Sequence, residues 1–288
     1  VKIRAPGKIN LRLRVVGKRN DGYHLIDTIM APVSLYDEIE ISKGRRLRGT
    51  KPGPRRLIVT CDDPKVPAGK KNIVYQAAEL MLRSGRIDQP VKIHIRKEIP
   101  LGSGLGGGST DAAATLMGLN HLFHIGYSAK KLKALALSLG ADVPFFIDRR
   151  PARARGIGER LSSIPELPRV WVVIAYPGFS VSTAWAYGRL PIKLTRPVAN
   201  TKFMRLIRRP INLRRLLVND LETVTVARYP RIGRLKTRLI AEGAEGALMS
   251  GSGSAVFGLF NSKGRAMLAL VQLRKEEGVQ AFLVRILN

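Results

Sequence analysis

The residues with the most chemistry in this chain are a run of glycines followed by three oxygen-bearing side chains. In Pro100-Leu101-Gly102-Ser103-Gly104-Leu105-Gly106-Gly107-Gly108-Ser109-Thr110-Asp111, five of the seven positions 102–108 are glycine. With no Cβ atoms in the way, the backbone N–H groups there are open to close approach by an anion. A helix starting just beyond adds unpaired N–H donors and partial positive charge. Such a stretch can cradle a di- or triphosphate. Ser109, Thr110 and Asp111 can cap the helix or serve phosphate or metal.

Other groups stand ready to act with it. Ala5-Pro6-Gly7-Lys8-Ile9-Asn10-Leu11 places a lysine and an asparagine where a turn feeds a strand. Gly140-Ala141-Asp142-Val143-Pro144-Phe145-Phe146 sets Asp142 between small residues and an apolar wall, where a buried carboxylate has to be paired or used. Asp21-Gly22-Tyr23-His24 offers a ring face for stacking and an imidazole that can bond a polar ring edge. A second glycine–serine loop occupies Ser250-Gly251-Ser252-Gly253-Ser254.

Regular elements must hold these groups in place. The alternation of Val91-Lys92-Ile93-His94-Ile95-Arg96-Lys97 predicts a strand leading into the glycine run, and Ala112 to Leu122 predicts the helix leaving it. Strands are expected over Val1–Ala5, Ile9–Val16, Ile39–Ile41, Leu57–Cys61, Val170–Tyr176, Ala255–Phe260 and Val279–Ile286. Helices are expected over Asn72–Arg86, Ser128–Leu139, Ala184–Arg189, Ile232–Glu242 and from Asn261-Ser262 to about Glu277. Lys43 to Arg56 reads as a basic loop, and Arg155-Gly156-Ile157-Gly158-Glu159 as the boundary between two halves. The order of elements restricts the nucleotide sites that fit. Gly102-x-Gly104-x-x-Gly107 matches a dinucleotide fingerprint, but no second strand ending in an acid follows. A Walker loop lacks its Lys-Ser/Thr pair, and the downstream motifs of protein kinases are missing.

Composition frames these readings. The chain has 288 residues, 45% of them hydrophobic, which is enough for one or two domains with a real core. A single cysteine, Cys61, rules out an internal disulfide and fits a reducing cytosol. No apolar run reaches membrane-spanning length and no signal peptide is visible, so a cytoplasmic protein is expected. The net charge is +29, from 50 basic and 21 acidic residues, and attracts anions of every kind. Residues 189–238 hold 14 Lys or Arg, with Leu206, Ile207, Ile211, Leu213, Leu216, Leu217 and Val218 at helix-like spacing. That tract keeps an RNA-binding reading open, although charge alone carries no sequence specificity.

Three segments, Pro6-Gly7-Lys8-Ile9-Asn10-Leu11, Gly104-Leu105-Gly106-Gly107-Gly108-Ser109-Thr110-Asp111 and Met249-Ser250-Gly251-Ser252-Gly253-Ser254, resemble the three motifs of the GHMP kinase superfamily in order and spacing. Asp21-Gly22-Tyr23-His24, Gly140 to Phe146 and Pro177-Gly178-x-Ser180-x-x-Thr183 resemble its branch acting on a cytidylated methylerythritol in the non-mevalonate isoprenoid pathway. The resemblance spans essentially the whole chain. Asp148-Arg149-Arg150-Pro151 departs from it, standing where the family has a glycine-rich turn.

The resemblance implies an α+β GHMP kinase fold of two domains, 1–155 and 156–288. The first would carry a left-handed βαβ-type unit and the second would be ferredoxin-like. It also implies ATP-dependent phosphorylation of the 2-hydroxyl of that substrate, with Mg²⁺ on the nucleotide and its protein ligand unassigned. By the same resemblance Asp142 is the catalytic base and Lys8 its companion. Pro100, Gly102, Gly104, Leu105, Gly106, Gly107, Gly108, Ser109 and Thr110, with Asn72 and Lys97, face the nucleotide. Asn10, Tyr23, His24, Thr183 and Tyr187 face the substrate, with cytosine stacked between Tyr23 and Tyr187. The expected partners are the small-molecule substrate and ATP, without membrane or specific nucleic acid, in a monomer or homodimer. Another small-molecule kinase of the superfamily, or a basic RNA-binding protein on the same fold, stands as the alternative.

Overall fold

The N-terminal segment forms one strand where the sequence suggests two. In the computed structural model, which describes residues 1–44, 57–191, 207 and 211–288, β1 runs unbroken over Lys2–Lys18. Pro6 and Gly7 are accommodated within it, so Lys8 and Asn10 point from a strand and not from a turn. The expected basic loop at Lys43–Arg56 and the stretch 192–206 with 208–210, including Leu206, lie mostly outside the described residues.

The described chain forms two compact units with interleaved segments. The first comprises Val1–Gly7, Tyr36–Leu101 and Gly106–Asp148; the second comprises Lys8–Leu35, Gly102–Leu105 and Arg149–Asn288. Strand β2, His24–Lys43, is far longer than the expected Ile39–Ile41. Its first half is buried on both faces, which erases the period-2 pattern that betrays a half-exposed strand.

In the first unit, the C-terminal half of β2 pairs antiparallel with β4, Val91–Arg96, from Glu38↔Arg96 to Lys43↔Val91. Strand β3, Leu57–Cys61, adds to β4 in parallel. Val91, Ile93 and Ile95 are buried while Lys92 and Arg96 are exposed, as their alternation requires. Two helices, α1 over Ile73–Ser84 and α2 over Gly107–Leu122, pack against each other. Helix α2 is buried around most of its circumference, with Ala112, Ala113, Ala114, Leu116 and Leu119 inaccessible. It also starts five residues earlier than the apolar pattern suggests, because its first turn is made by the glycines and small polar residues themselves. Two shorter helices follow, α3 over Ala129–Leu137 and α4 over Phe145–Asp148.

In the second unit, the N-terminal half of β2 pairs antiparallel with β5, Ala152–Gly156, which turns back into β6, Arg160–Ser163. The expected boundary at Arg155–Glu159 is therefore the tip of a hairpin. A second sheet is antiparallel in the order β11-β7-β10-β9, from Gln280–Arg285, Trp171–Tyr176, Val256–Phe260 and Gly246–Met249. After the short α5, Thr183–Gly188, come α6 over Leu213–Leu216 and the two-residue β8, Val218–Asn219, parallel to β1. Helices α7, Glu222–Arg228, α8, Pro230–Ala241, and α9, Lys263–Arg274, complete the unit. Ile232, Leu235 and Leu239 of α8 and Ala266, Ala269, Leu270 and Leu273 of α9 join Val173, Ala175, Val256 and Phe260 in one core. Burying these apolar stripes against the sheet is what holds the layers together. The chain is α+β, with helices and strands of both units in mixed order.

Candidate functional site

The glycine run folds as a loop that the second glycine–serine loop braces. Within the second unit, Ala255 N–H donates to the Ser103 carbonyl at 2.9 Å and Ser250 Oγ donates to the Gly104 carbonyl at 3.0 Å. Lys8 N–H donates to the Leu105 carbonyl at 2.8 Å, tying the start of β1's active stretch to the same loop. Gly104 has to be glycine twice over. Its φ is +82°, and a Cβ there would overlap the Ser250 carbonyl oxygen. In the first unit, Gly106 at φ +75° is the N-cap of α2, and Thr110 N–H returns to its carbonyl at 2.9 Å. The carbonyls of 103–105 are turned to these braces, and in the first unit the glycine N-cap of α2 carries no side chain, so the first N–H groups of the helix are open to an anion.

Lys8 and Asn10, both buried, form a pair. Lys8 Nζ donates to Asn10 Oδ1 at 2.5 Å; Asn10 Nδ2 donates to Thr28 Oγ1 at 2.9 Å, and Asn10 N–H to Ser250 Oγ at 3.3 Å. Asn10 is thus fixed from three directions and holds the lysine ammonium in place. Thr28 is a partner that sequence reasoning missed, because nothing local links it to the lysine. Asp142 lies in the turn before α4 in the first unit and is half-buried, not enclosed as its apolar neighbours suggest.

Of the expected substrate-facing aromatics, the fold brings His24 and Tyr187 together, with ring centroids 5.2 Å apart and planes inclined by 30°. Tyr23 projects into solvent at 61% exposure, a free ring beside the pair in sequence. Burial, helped by the nearby Lys18 charge, pushes the His24 imidazole below its ordinary 6.5, so it is neutral at pH 7 and can both donate and accept. Thr183 Oγ1 lies 2.9 Å from Ser252 Oγ, which couples α5 to the bracing loop. Next to His24 along β2, a cavity of about 550 Å³ is lined by Leu25, Ile26 and Gly156 and by Arg19, Arg153, Arg155 and Arg160. Arg153 is committed to Asp27 through a bidentate pair at 2.7 Å.

The two outlying nucleotide-side candidates have structural occupations. Asn72 Oδ1 accepts from Val74 N–H at 2.8 Å and so caps α1. Lys97 Nζ sits between two carboxylates, 2.5 Å from Asp37 Oδ2 and 2.8 Å from Asp111 Oδ2. Burial alone would lower the Lys97 ammonium, but Asp111 and Asp37 together raise it above the ordinary lysine range. Burial raises Asp111 well above the usual carboxylate range, against the pull of Lys97. Asp37 was invisible as a site residue because it lies in a strand 60 positions before its partner, with no local motif around it. Asp111 Oδ1 and Thr110 Oγ1 are buried without a hydrogen-bond partner among the described residues.

The comparisons with known proteins show the family. The chain matches the family described as "GHMP kinases N terminal domain" over residues 72–149 and "GHMP kinases C terminal" over residues 199–279. These matches take in more than half of the chain and, with the braced glycine loop, define a GHMP kinase. Curated relatives include the 4-diphosphocytidyl-2-C-methyl-D-erythritol kinases of Citrifermentans bemidjiense, 46% identical over 99% of this chain and 98% of that protein, and of Acetivibrio thermocellus, 41% identical over 96% of each. A solved 4-(cytidine 5'-diphospho)-2C-methyl-D-erythritol kinase structure, 35% identical, covers 100% of both chains with a TM-score of 0.83. A homoserine kinase of Cytophaga hutchinsonii, 19% identical with a TM-score of 0.71 over 100% of this chain and 94% of that one, shares the fold alone. The chain belongs to the 4-diphosphocytidyl-2-C-methyl-D-erythritol kinase family.

Proposed function

We propose that this chain transfers the γ-phosphoryl group of ATP to the 2-hydroxyl of 4-diphosphocytidyl-2-C-methyl-D-erythritol. The observation that carries the reading is that one compact unit holds the braced loop at 102–105, the Lys8–Asn10 pair and the His24–Tyr187 ring pair. A phosphate cradle, a fixed ammonium and a site for a flat polar ring are the parts that a kinase with a nucleobase-tagged substrate needs. In this reading the glycine loop's N–H groups hold the nucleotide phosphates, and Asp142 takes the proton from the 2-hydroxyl as its oxygen attacks phosphorus. The new O–P bond forms as the bond to ADP breaks, and the Lys8 ammonium stabilises the charge developing on the reacting oxygens. Most of the acceleration comes from positioning and charge, since phosphoryl transfer asks for little covalent help.

Mg²⁺ belongs to the same reading. Among the described residues no cluster of three or more His, Cys, Asp or Glu could hold a metal alone. A nucleotide-borne Mg²⁺ needs only one or two protein oxygens beside the phosphates. Thr110 Oγ1 and Asp111 Oδ1, hard oxygens left unpartnered in the first turn of α2, fit that demand. Bound there, the ion would neutralise phosphate charge. No helix among the described residues is long and apolar enough to cross a membrane, which is consistent with a cytoplasmic setting.

Cytidine recognition has its own test. With the base held against Tyr187 and His24 and covered by Tyr23, Tyr187→Ala or Tyr23→Ala should cost on the order of 1–3 kcal/mol in cytidylate binding, the range for a stacked base. ATP affinity should stay near wild type in both. Because His24 titrates below 6.5, the Michaelis constant for the cytidylate should be flat above neutrality and rise in acid as the imidazole becomes charged. Steady-state kinetics with each substrate varied, across pH, decide it. Tyrosine variants with an unchanged cytidylate constant would place base recognition elsewhere.

A further inference from the structure

Lys97 is the one candidate nucleotide ligand whose charged end is taken up by the protein. Its side chain is 3% exposed, and those of Asp37 and Asp111 are 0% and 4% exposed. Asp37 does more than accept the ammonium. Its Oδ1 also accepts the N–H groups of Glu98 at 2.7 Å and Ile99 at 2.9 Å. One carboxylate on β2 therefore fixes the backbone of the two residues before Pro100, where the chain enters the glycine loop. Asp111 stands on α2, where the chain has just left it. The Lys97 ammonium, bonded to both, joins the entrance of the loop to its exit.

Two further features fit a device that sets a distance. Gly107 is packed so closely that a Cβ would lie 3.1 Å from Lys97 Nζ and 3.2 Å from Ile99 Cγ2, so the first turn of α2 is drawn against the lysine and its neighbour. Two carboxyl groups share one ammonium in a buried site. As a source of stability that is a poor arrangement, since a buried ion group is often no better than apolar packing of the same volume. What charge-assisted bonds supply that apolar packing does not is a fixed direction and length.

We propose that Lys97 is a positioning residue, a buried strut between Asp37 and Asp111 that sets the spacing of the two ends of the phosphate loop before ATP arrives. This rests on reading the loop as the ATP cradle. Phosphoryl transfer depends on alignment, and a misplacement of about 1 Å costs on the order of 100-fold in rate. A strut that holds the loop ends in register keeps the N–H donors preorganised and spares the nucleotide the ordering cost.

The test compares wild type, Lys97→Met and Asp37→Asn by amide hydrogen exchange without nucleotide and by kinetics with ATP or the alcohol varied. The methionine keeps the length of the side chain and removes its charge. In Lys97→Met, exchange of the amides in 101–110 should accelerate about tenfold or more while α1 and β4 keep their protection. kcat/KM for ATP should fall about 100-fold, with KM for the alcohol nearly unchanged. Asp37→Asn should show the same pattern in milder form, since the amide oxygen can still accept from 98 and 99.

A rise in KM for ATP with wild-type loop exchange would make Lys97 a direct nucleotide ligand and overturn the proposal. Even acceleration across the first unit would reduce the cluster to a structural ion group and overturn it equally. If Lys97→Met does not fold, Asp37→Asn decides: wild-type loop exchange with a wild-type ATP constant sinks the strut. Should the wild type itself transfer no phosphate, the kinase reading falls, while the exchange data still decide whether Lys97 orders the loop.

Discussion

Replacing Asp142 by Asn lowers phosphate transfer by about 10²- to 10⁴-fold, the range for removing a positioned general base, while ATP binding stays near wild type. A secondary alcohol is a poor nucleophile at neutral pH, and its oxygen gains strength only as the proton leaves. The amide keeps the size of the carboxyl group and its place in the turn before α4, but it cannot take that proton. Asp142 is half-buried and not enclosed in the core, so the exchange of carboxylate for an amide of the same size disturbs little packing. The melting temperature should therefore hardly move. Isothermal titration with ATP and single-turnover transfer, on the same preparation, separate the two effects. Near-normal turnover in Asp142→Asn would take Asp142 out of the chemistry.

The second large effect lies in the loop. Gly104→Val should reduce transfer to below about 1% of wild type, because the loop can no longer seat against its brace and the donors lose their alignment. Two penalties act together. Gly104 has φ +82°, and an added Cβ overlaps the Ser250 carbonyl oxygen, a backbone atom that cannot step aside. Gly126 separates the two. It has nearly the same φ, +77°, but no atom lies within 4 Å of where its Cβ would stand, so Gly126→Ala bears the conformational strain alone, about 1–2 kcal/mol. If Gly104→Val and Gly126→Ala lose similar stability and neither loses transfer, the loop is a turn and not a cradle.

What could be read from the sequence was what is local. The alternation over 91–96 announced β4, and the glycines announced the loop, where Gly104 and Gly106 stand at φ +82° and +75°. Lys8, Asn10 and the glycine–serine stretch 250–254 stood out as chemistry-bearing, and the fold joins them through Asn10 N–H to Ser250 Oγ. What escaped depended on distant partners. The first half of β2 is buried on both faces and so lacks a period. Nothing in the sequence links Arg153 to Asp27, 126 residues earlier, which holds it inside the sheet. The resemblance placed Lys97 on the nucleotide side, and its two carboxylate partners, 60 and 14 positions away, left no local sign of the cluster they form with it. A charged side chain declares its type in the sequence but not its partner.

The central claim is tested most directly by the product. The protein is incubated with ATP, Mg²⁺ and 4-diphosphocytidyl-2-C-methyl-D-erythritol, and in parallel with homoserine, with mevalonate and with RNA alone. The account predicts one new phosphomonoester in the ³¹P spectrum, coupled to C2 of the methylerythritol, with the diphosphate bridge intact and one ADP formed per ester. Transfer to homoserine or mevalonate at comparable kcat/KM, or RNA binding without any new ester, would contradict it.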